Sequence, residues 1–380
     1  MKSGLFFVPA LYFIGNFYLY SWATRLTQPS VKLRKGVLLS LILFLALFPI
    51  TKIWGRHDFN SFNQLLTLFS SVWMGLTLLF IFLALGSDVF HLLWRRLSFP
   101  WAISWPRSLS YRRLLVVGIG LGGITLGGYA FWEARNIEIT RIEIPLRHLP
   151  PDLDGLSIVQ ISDVHYGMLQ ENGRLSDIVS QVNGLHPDLV VITGDLVDEA
   201  VSHMEEMKVP LANLKSRLGV MAIMGNHEFF AGVDRAETIM RRAGIQVLRN
   251  EIKVLPGGLQ ILGVDDPTFY RRMGLALPDF DGLVKRLDPE KPSILLYHQP
   301  LHFEEVAASG MGLQLSGHVH GPQLLPMVPF ARLLYSHLRG LSHVGESYLY
   351  VSRGVGTGGP PMRLGSPPEL VFIRLRSPEK

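Results

Sequence analysis

Long stretches without a charged side chain fill much of the first 132 residues, and they restrict the folds open to this part of the chain. Positions 3–24, 59–87 and 114–132 contain no Asp, Glu, Lys or Arg, and a shorter run lies between Lys35 and Lys52. A helix needs about 20 mainly apolar residues to cross a membrane. Buried core helices are the alternative, but the runs lack helix-period amphipathicity. We predict four transmembrane helices, near Leu5–Thr24, Gly36–Trp54, Leu66–Gly86 and Leu114–Trp132.

Charge is distributed unevenly along the 380 residues. Residues 1–132 contain twelve Lys and Arg against two acidic residues, whereas 133–380 contain 24 basic and 29 acidic residues. A net-acidic rear region disfavours nucleic acid as a partner, because capture by counterion release needs a basic surface. Cysteine is absent, which excludes disulfides and thiolate metal ligands. We predict a membrane anchor over 1–132, a linker with a first strand over 133–154, and a further domain over 155–380.

Basic residues flank the predicted spans asymmetrically. The loops after the first and third spans carry nine Lys and Arg, whereas the opposite ends carry three. Cytoplasmic loops are enriched in these residues, so the richer side is predicted to face the cytoplasm. This orientation predicts a multi-pass protein of the cell membrane whose rear domain lies outside the cytoplasm.

Short apolar runs alternate with polar segments in the rear region. Such runs are typical of strands that are buried on both faces. Eight strands are predicted, at Ser157–Ile161, Leu189–Ile192, Val220–Met224, Leu259–Val264, Ile294–Tyr297, Gly312–Leu315, Tyr348–Val351 and Leu370–Leu375. Helical segments are predicted at Gly173–Asn183 and Asp234–Ala243. The alternation predicts an α/β fold with a mixed, layered sheet.

Polar side chains follow five of these strands at the point where each strand ends. They are Asp163 and His165, Asp195 and Asp198, Asn226 with His227 and Glu228, His298, and His318 with His320. Ligand sites in open α/β sheets gather beyond the carboxyl ends of the strands. A single histidine at a strand end is more often structural, but five strand ends with such residues in one domain indicate a site.

The mixture of carboxylate, imidazole and amide groups indicates the chemistry of this site. These groups suit Mn, Fe or Zn, whereas oxygen-only sites suit Mg or Ca. Two divalent ions about 3.5–4 Å apart can share a bridging carboxylate and remain cationic overall. Such a centre binds phosphate and lowers the pKa of a bridging water. The resulting hydroxide can attack phosphorus opposite the leaving oxygen.

The motifs that carry this set resemble those of the calcineurin-like metallophosphoesterases. The motifs are Asp163-Val164-His165, Gly194-Asp195-Leu196-Val197-Asp198, Gly225-Asn226-His227-Glu228, Tyr297-His298 and Gly317-His318-Val319-His320. The tail from Val351-Ser352-Arg353-Gly354-Val355-Gly356 through Pro367-Pro368-Glu369-Leu370 resembles the bacterial membrane-anchored branch of that family. The resemblance covers about 155–375 and implies a four-layer αββα sandwich. It also implies a hydrolase that cleaves a phosphomonoester or a phosphodiester. A departure from relatives, Gly321-Pro322-Gln323 in place of Gly-Gly-Gln, puts the substrate geometry in doubt.

The resemblance implies seven metal ligands: Asp163, His165 and His320 on one ion, Asn226, His298 and His318 on the other, and Asp195 bridging both. His227 is expected to contact the phosphate and to protonate the leaving group. Asp198 is expected to orient a ligand or cap a helix. Arg353 is expected either to contact substrate phosphate or to form a structural ion pair.

The segment Leu324–Tyr335 is unusually apolar for a loop after the last ligand. Burial against the sheet is one explanation, and contact with a membrane surface is the other. The second explanation implies a lipid or lipid-linked substrate. A nuclease and a non-catalytic protein with a vestigial site are the alternative functions. No protein partner is evident from the sequence.

Overall fold

The structure is a computed structural model, which describes residues 4–55, 60–96, 108–169, 172–199 and 202–378. The chain divides into two compact units. The first contains the front helices as far as Trp132, together with Pro360–Met362. The second contains Glu133–Gly359 and the chain from Arg363 onward.

Long helices form the first unit: α1 (Gly4–Thr27), α2 (Val31–Gly55), α3 (Ser61–Arg96) and α4 (Leu109–Glu133). Among the described residues, three stretches are long and apolar enough to cross a membrane, namely Val31–Thr51, Ser61–Arg96 and Leu109–Glu133. The helix α3 has 36 residues. At 1.5 Å per residue it is about 54 Å long, which exceeds the roughly 30 Å of a hydrocarbon core.

The predicted count of four spans is corrected to three candidate spans in the described chain, and part of the predicted span Leu5–Thr24 lies outside the residues whose side chains are described. The helix α1 is partly polar. Its Tyr12 hydroxyl lies 3.0 Å from Thr77 Oγ1, its Tyr18 hydroxyl donates to Asp88 at 3.1 Å, and Asn16 is buried. These polar groups pair with α3 or lie inside the unit.

Two six-stranded sheets form the framework of the second unit. The first sheet has the order β1-β12-β2-β3-β4-β5 and consists of β1 (Glu138–Pro145), β2 (Ser157–Ile161), β3 (Leu189–Ile192), β4 (Val220–Ala222), β5 (Gln246–Val247) and β12 (Glu369–Arg376). The strands β2 to β5 are parallel, whereas β12 pairs with β2 in the antiparallel sense. The carboxyl ends of three ligand-bearing strands therefore lie along one edge.

The second sheet has the order β10-β11-β9-β8-β7-β6. It consists of β6 (Glu251–Val254), β7 (Gln260–Val264), β8 (Ser293–Tyr297), β9 (Leu313–Ser316), β10 (Gly340–Val344) and β11 (Ser347–Val351). The central strands β7, β8, β9 and β11 are parallel, and the edge strands β6 and β10 are antiparallel to their neighbours. The parallel centre places the ends of β8 and β9 side by side.

Helices connect the strands of both sheets. They are α5 (Asn172–Gly184), α6 (Lys208–Leu211), α7 (Asn226–Ala231), α8 (Val233–Arg242), α9 (Pro267–Met273), α10 (Phe280–Val284), α11 (Phe303–Ala308) and α12 (Val328–Ala331). Single 3-10 turns lie at Pro151–Leu153, Pro256–Gly258 and Leu325–Met327, and a longer one at Ser202–Met207.

Apolar side chains bury both faces of the central strands. One core cluster joins the two sheets and includes Ile158 of β2 and Leu296 of β8. Another joins the first sheet to helices and includes Val159 of β2 and Ile178 of α5. Neighbouring residues of β2 therefore enter different cores, which explains why its sequence is continuously apolar instead of alternating.

The predicted mixed α/β architecture is confirmed, and each of the eight predicted strands corresponds to an observed strand. The largest boundary difference is at β4, which ends at Ala222 instead of Met224. The strands β5, β6 and β10 are not predicted, because they lie at sheet edges and most of their residues are at least partly exposed. Edge strands lack the continuous apolar pattern.

Candidate metal centre

The strand ends of both sheets bring the predicted ligands together in the second unit. Three groups have potential ligand atoms within 4.8 Å of one another: Asp163, His165 and His320; His165, Asp195 and His227; and Asp195, His298 and His318. His165 and Asp195 each belong to two groups. The groups therefore form one continuous centre.

Asp195 occupies the middle of this centre. Its Oδ2 atom lies 3.0 Å from His298 Nε2 and 3.9 Å from His165 Nε2. Its Oδ1 atom accepts a hydrogen bond from the His227 backbone N–H at 2.9 Å. Burial opposes ionisation, but the neighbouring histidines, His298 foremost, hold the pKa of Asp195 well below its usual range. The residue is therefore a buried carboxylate that faces both sides of the centre.

The first side of the centre contains Asp163, His165 and His320. The Nε2 atoms of the two histidines lie 3.0 Å apart, and His320 Nε2 lies 3.6 Å from Asp163 Oδ1. Both Asp163 carboxylate oxygens accept from the His318 backbone N–H, at 3.0 and 3.1 Å. Two imidazole nitrogens and a carboxylate thus point to a shared position, as expected for ligands of one cation.

The second side contains His298 and His318, together with Asn226 at the start of α7. His298 Nδ1 donates to the Thr193 carbonyl at 2.7 Å, so its Nε2 atom is available toward Asp195 and the His318 Nδ1 atom 3.3 Å away. A backbone carbonyl partner of this kind commonly orients a metal-binding histidine. The imidazole rings on this side are therefore oriented so that their nitrogens can bind a metal ion.

Asn226 supplies a test of whether the site suits a metal. Its side-chain oxygen is buried, and no hydrogen-bond partner reaches it within the described chain. An unsatisfied buried carbonyl oxygen costs about 1–3 kcal/mol, a cost that a bound cation would remove. The amide oxygen, imidazole nitrogens and carboxylates fit a divalent transition metal.

Backbone strain is concentrated at the predicted ligands. Five of them have positive φ: Asp163 (53°), His165 (54°), Asp195 (52°), His318 (71°) and His320 (57°). Residues with a side chain seldom adopt this left-handed conformation, which costs about 1–3 kcal/mol and clusters at functional sites. The surrounding contacts must therefore hold each ligand in place.

His227 lies beside the centre and is partly open to solvent. Its Nδ1 atom is 2.7 Å from the Asp198 carbonyl and 3.3 Å from Asp198 Oδ1, and 29% of its side chain is exposed. Burial lowers the pKa of His227, but Asp195 and Asp198 outweigh this effect and raise it to about 10. The imidazole is therefore cationic at neutral pH and can donate a proton.

Asp198 contacts two histidines of the centre and is not one of the proposed ligands. Its Oδ1 atom lies 3.3 Å from both His165 Nδ1 and His227 Nδ1. The carboxylate can fix the orientation of both rings, which agrees with the expected orienting role.

Glu228 is a site residue whose role the sequence did not reveal. It is fully buried, and its oxygens accept from the backbone N–H groups of Asp195, Gly225 and Val197 at 2.9, 2.7 and 3.0 Å. Burial and Asp195 raise its pKa. The residue ties the start of α7 to the loop that carries Asp195. Its sequence signal is its position three residues after Gly225, where an acidic side chain can accept from the backbone N–H that precedes a helix.

Arg353 is engaged in ion pairs. Its Nη2 atom lies 2.8 Å from Glu369 Oε2 and 3.0 Å from Glu138 Oε2. Burial acts against the charge of this arginine, but Glu369 and Glu138 raise its pKa. Of the two expected roles, these contacts favour the structural ion pair.

The fold and site together define a class of protein, the phosphoesterases that use metal ions. Residues 156–322 match the family described as calcineurin-like phosphoesterase. A metallophosphoesterase of Aquifex aeolicus is 34% identical over 67% of this chain and 97% of its own length. A metallophosphoesterase of Helicobacter pylori is 36% identical over 66% of this chain and 68% of its own.

A relative that is named as a transmembrane protein matches almost the whole chain. The transmembrane protein with metallophosphoesterase domain of Danio rerio is 31% identical over 98% of this chain and 89% of its own length. The chain belongs to the calcineurin-like metallophosphoesterase family, and it is a metal-dependent phosphoesterase. Its apolar helices and this relative make membrane association plausible.

Proposed function

We propose that the protein is a membrane-anchored phosphohydrolase that uses two divalent ions to cleave a phosphomonoester or a phosphodiester. The observation that carries this proposal is the position of Asp195. Its carboxylate belongs to ligand groups on both sides of the centre, 3.0 Å from His298 and 3.9 Å from His165. A carboxylate shared in this way is the arrangement that a bridged pair of ions needs.

In this proposal each side of the centre binds one ion. The proposed ligands are Asp163, His165 and His320 on one side, Asn226, His298 and His318 on the other, and Asp195 between them. The ions are Mn, Fe or Zn, for which nitrogen and oxygen ligands are suited. When bound, two such ions supply positive charge for the phosphate and the means to ionise a water at neutral pH. The proposed αββα layering is supported by cores on both faces of β2.

His227 is proposed to give the leaving oxygen its proton. It has an exposed edge and lies next to the proposed ligand Asn226, and its contacts with Asp198 raise its pKa. Asp198 holds the ring through two contacts at Nδ1, so the other nitrogen is available for the substrate. A positioned acid of this kind contributes about 100- to 10,000-fold to a rate.

The test of the proposed function is metal titration of the purified full chain in detergent. After chelation, Mn²⁺ is expected to bind at two ions per chain and to restore hydrolysis of p-nitrophenyl phosphate or its bis ester. Binding without hydrolysis would favour the non-catalytic alternative, and preferred cleavage of DNA or RNA would favour the nuclease.

A comparison of intact with lysed cells tests the proposed extracytoplasmic position of the site. Because these charged esters do not cross the membrane, intact cells should show nearly the full activity.

An apolar surface leads to this centre and supports a lipid or lipid-linked substrate. Leu333 and Leu334 are 82% and 76% exposed, and Phe330 on α12 is 44% exposed. The same segment ends at Tyr335, whose ring centroid lies 5.6 Å from that of His318. Exposed large apolar side chains in a segment that ends beside a polar site are suited to an acyl chain or a lipid surface. Leu324 does not share this role, because it is buried.

Replacing Phe330, Leu333 and Leu334 together by Ser is expected to separate the two kinds of substrate. Hydrolysis of phosphatidate in mixed micelles should fall about tenfold or more, since each apolar contact is worth up to about 1.5–3 kcal/mol. Hydrolysis of p-nitrophenyl phosphate should change less than twofold. The control replaces the exposed Leu341 and Val344 of β10 by Ser. Equal losses on both substrates, or none, would exclude the lipid role.

A further inference from the structure

A fully buried arginine, Arg363, lies behind the His320 side of the centre. Its five N–H donors face five backbone carbonyls. Nε donates to Gly356 at 3.0 Å, and Nη1 to Ser366 at 2.9 Å and to His320 at 3.4 Å. Nη2 reaches Gly356, Arg353 and Gly354 at 2.6, 2.8 and 3.1 Å. Within the described chain, no carboxylate forms an ion pair with this guanidinium.

Three of these carbonyls, those of Arg353, Gly354 and Gly356, belong to the loop that supports Asp163. In that loop the Val355 N–H donates to the Ser162 carbonyl at 2.9 Å, and the Gly356 N–H donates to the Asp163 carbonyl at 2.8 Å. Gly356 packs so closely that a Cβ atom there would lie 2.0 Å from the Val164 carbonyl oxygen. A shift of this loop would therefore move Asp163.

Arg363 also holds the backbone of His320. The His320 carbonyl accepts from Arg363 Nη1 and, at 2.8 Å, from the Ser366 hydroxyl. Arg363 Nη2 lies 3.3 Å from Nδ1 of the His320 ring. The left-handed conformation of His320 needs such external support, since a side-chain-bearing residue gains nothing from it locally.

The number of contacts explains why an arginine is needed here. A guanidinium presents five donors in a rigid plane, whereas a lysine ammonium presents three on a flexible stem. Burial lowers the pKa of Arg363 to about 9, so the group still carries its charge at neutral pH. An uncharged or shorter residue would leave several buried carbonyls without a donor.

We propose that Arg363 is a positioning residue that fixes Asp163 and His320 as ligands of the first ion and thereby sets the affinity for that ion. This inference rests on the proposed two-ion centre. Groups that orient metal ligands typically change metal affinity about 10- to 100-fold when they are removed. The effect should be confined to the first ion, because Arg363 has no hydrogen bond with Asn226, His298 or His318 in the described structure.

The test compares Mn²⁺ binding by the full chain with that of the Arg363→Met and Arg363→Lys variants. The wild type should bind two ions and show the electron paramagnetic resonance spectrum of coupled Mn²⁺. Arg363→Met should bind one of them about 10- to 100-fold more weakly and show the spectrum of isolated Mn²⁺, with a smaller effect for Arg363→Lys. Adding Asn226→Ala, which weakens the second side, should leave Arg363→Met without a tightly bound ion.

Arg249→Met is the matched control, because Arg249 is paired with Glu237 and Asp265, neither of which is a proposed ligand. It should keep both ions. If neither Arg363 variant melts cooperatively, Ser366→Ala removes the second donor to the His320 carbonyl and should weaken the first ion several-fold. Folded variants that bind both ions within twofold of the wild type would overturn the inference. A wild type that binds fewer than two ions would instead refute the two-ion proposal.

Discussion

Replacing Asp195 by Asn is expected to lower kcat/KM on a phosphate ester by about 1000-fold. Asn keeps the size of Asp and an oxygen that can accept from the His227 N–H, but it removes the negative charge between the two sides of the centre. A loss of about 4 kcal/mol in transition-state stabilisation, within the several kcal/mol that bound metals supply, corresponds to this factor. Initial rates in saturating Mn²⁺, with metal content measured on the same samples, give the result.

Asp188→Asn is the control for this substitution. Asp188 accepts from Ser157 and from Arg217 at 2.8 Å, and neither partner is a proposed metal ligand. The control should retain its rate and its metal content. Full activity of Asp195→Asn with both ions bound would count decisively against a shared carboxylate. Loss of metal from the control would show instead that the domain tolerates no charge removal.

The sequence predicted the central strands well because their burial leaves a local signature. Val190 and Val191 of β3 are adjacent and fully buried, but they belong to different core clusters. Both faces of the strand must therefore be apolar. The edge strand β6 is partly exposed and has no such constraint.

The candidate site was predictable only in part, for a related physical reason. The proposed ligands are chemically distinctive and follow apolar strands, so residue type and position indicate them. Glu228 and Arg363 act partly through backbone groups that are distant in the chain, and such contacts leave no residue pattern. Arg363 lies 43 residues from the His320 carbonyl that it binds. The positive φ at His320 is equally hidden, because it depends on those contacts.

Replacing His227 by Gln is expected to lower kcat about 100- to 10,000-fold while both ions remain bound. Gln can donate to the Asp198 carbonyl, the partner of His227 Nδ1, but it cannot supply a proton. The loss should be larger for an alkyl phosphate than for p-nitrophenyl phosphate, because an alkoxide leaving group needs protonation more than a nitrophenolate does. Steady-state rates on the two esters measure this difference directly.

The dependence on the leaving group distinguishes proton donation from a role in phosphate binding. If His227 only attracted the phosphate by its charge, both esters would lose the same factor and the effect would appear mainly in KM. The control is His343→Gln, an exposed histidine on β10 that should leave both rates unchanged. A uniform loss on both esters would therefore assign His227 to binding, and the acid for the leaving group would have to come from solvent or from substrate.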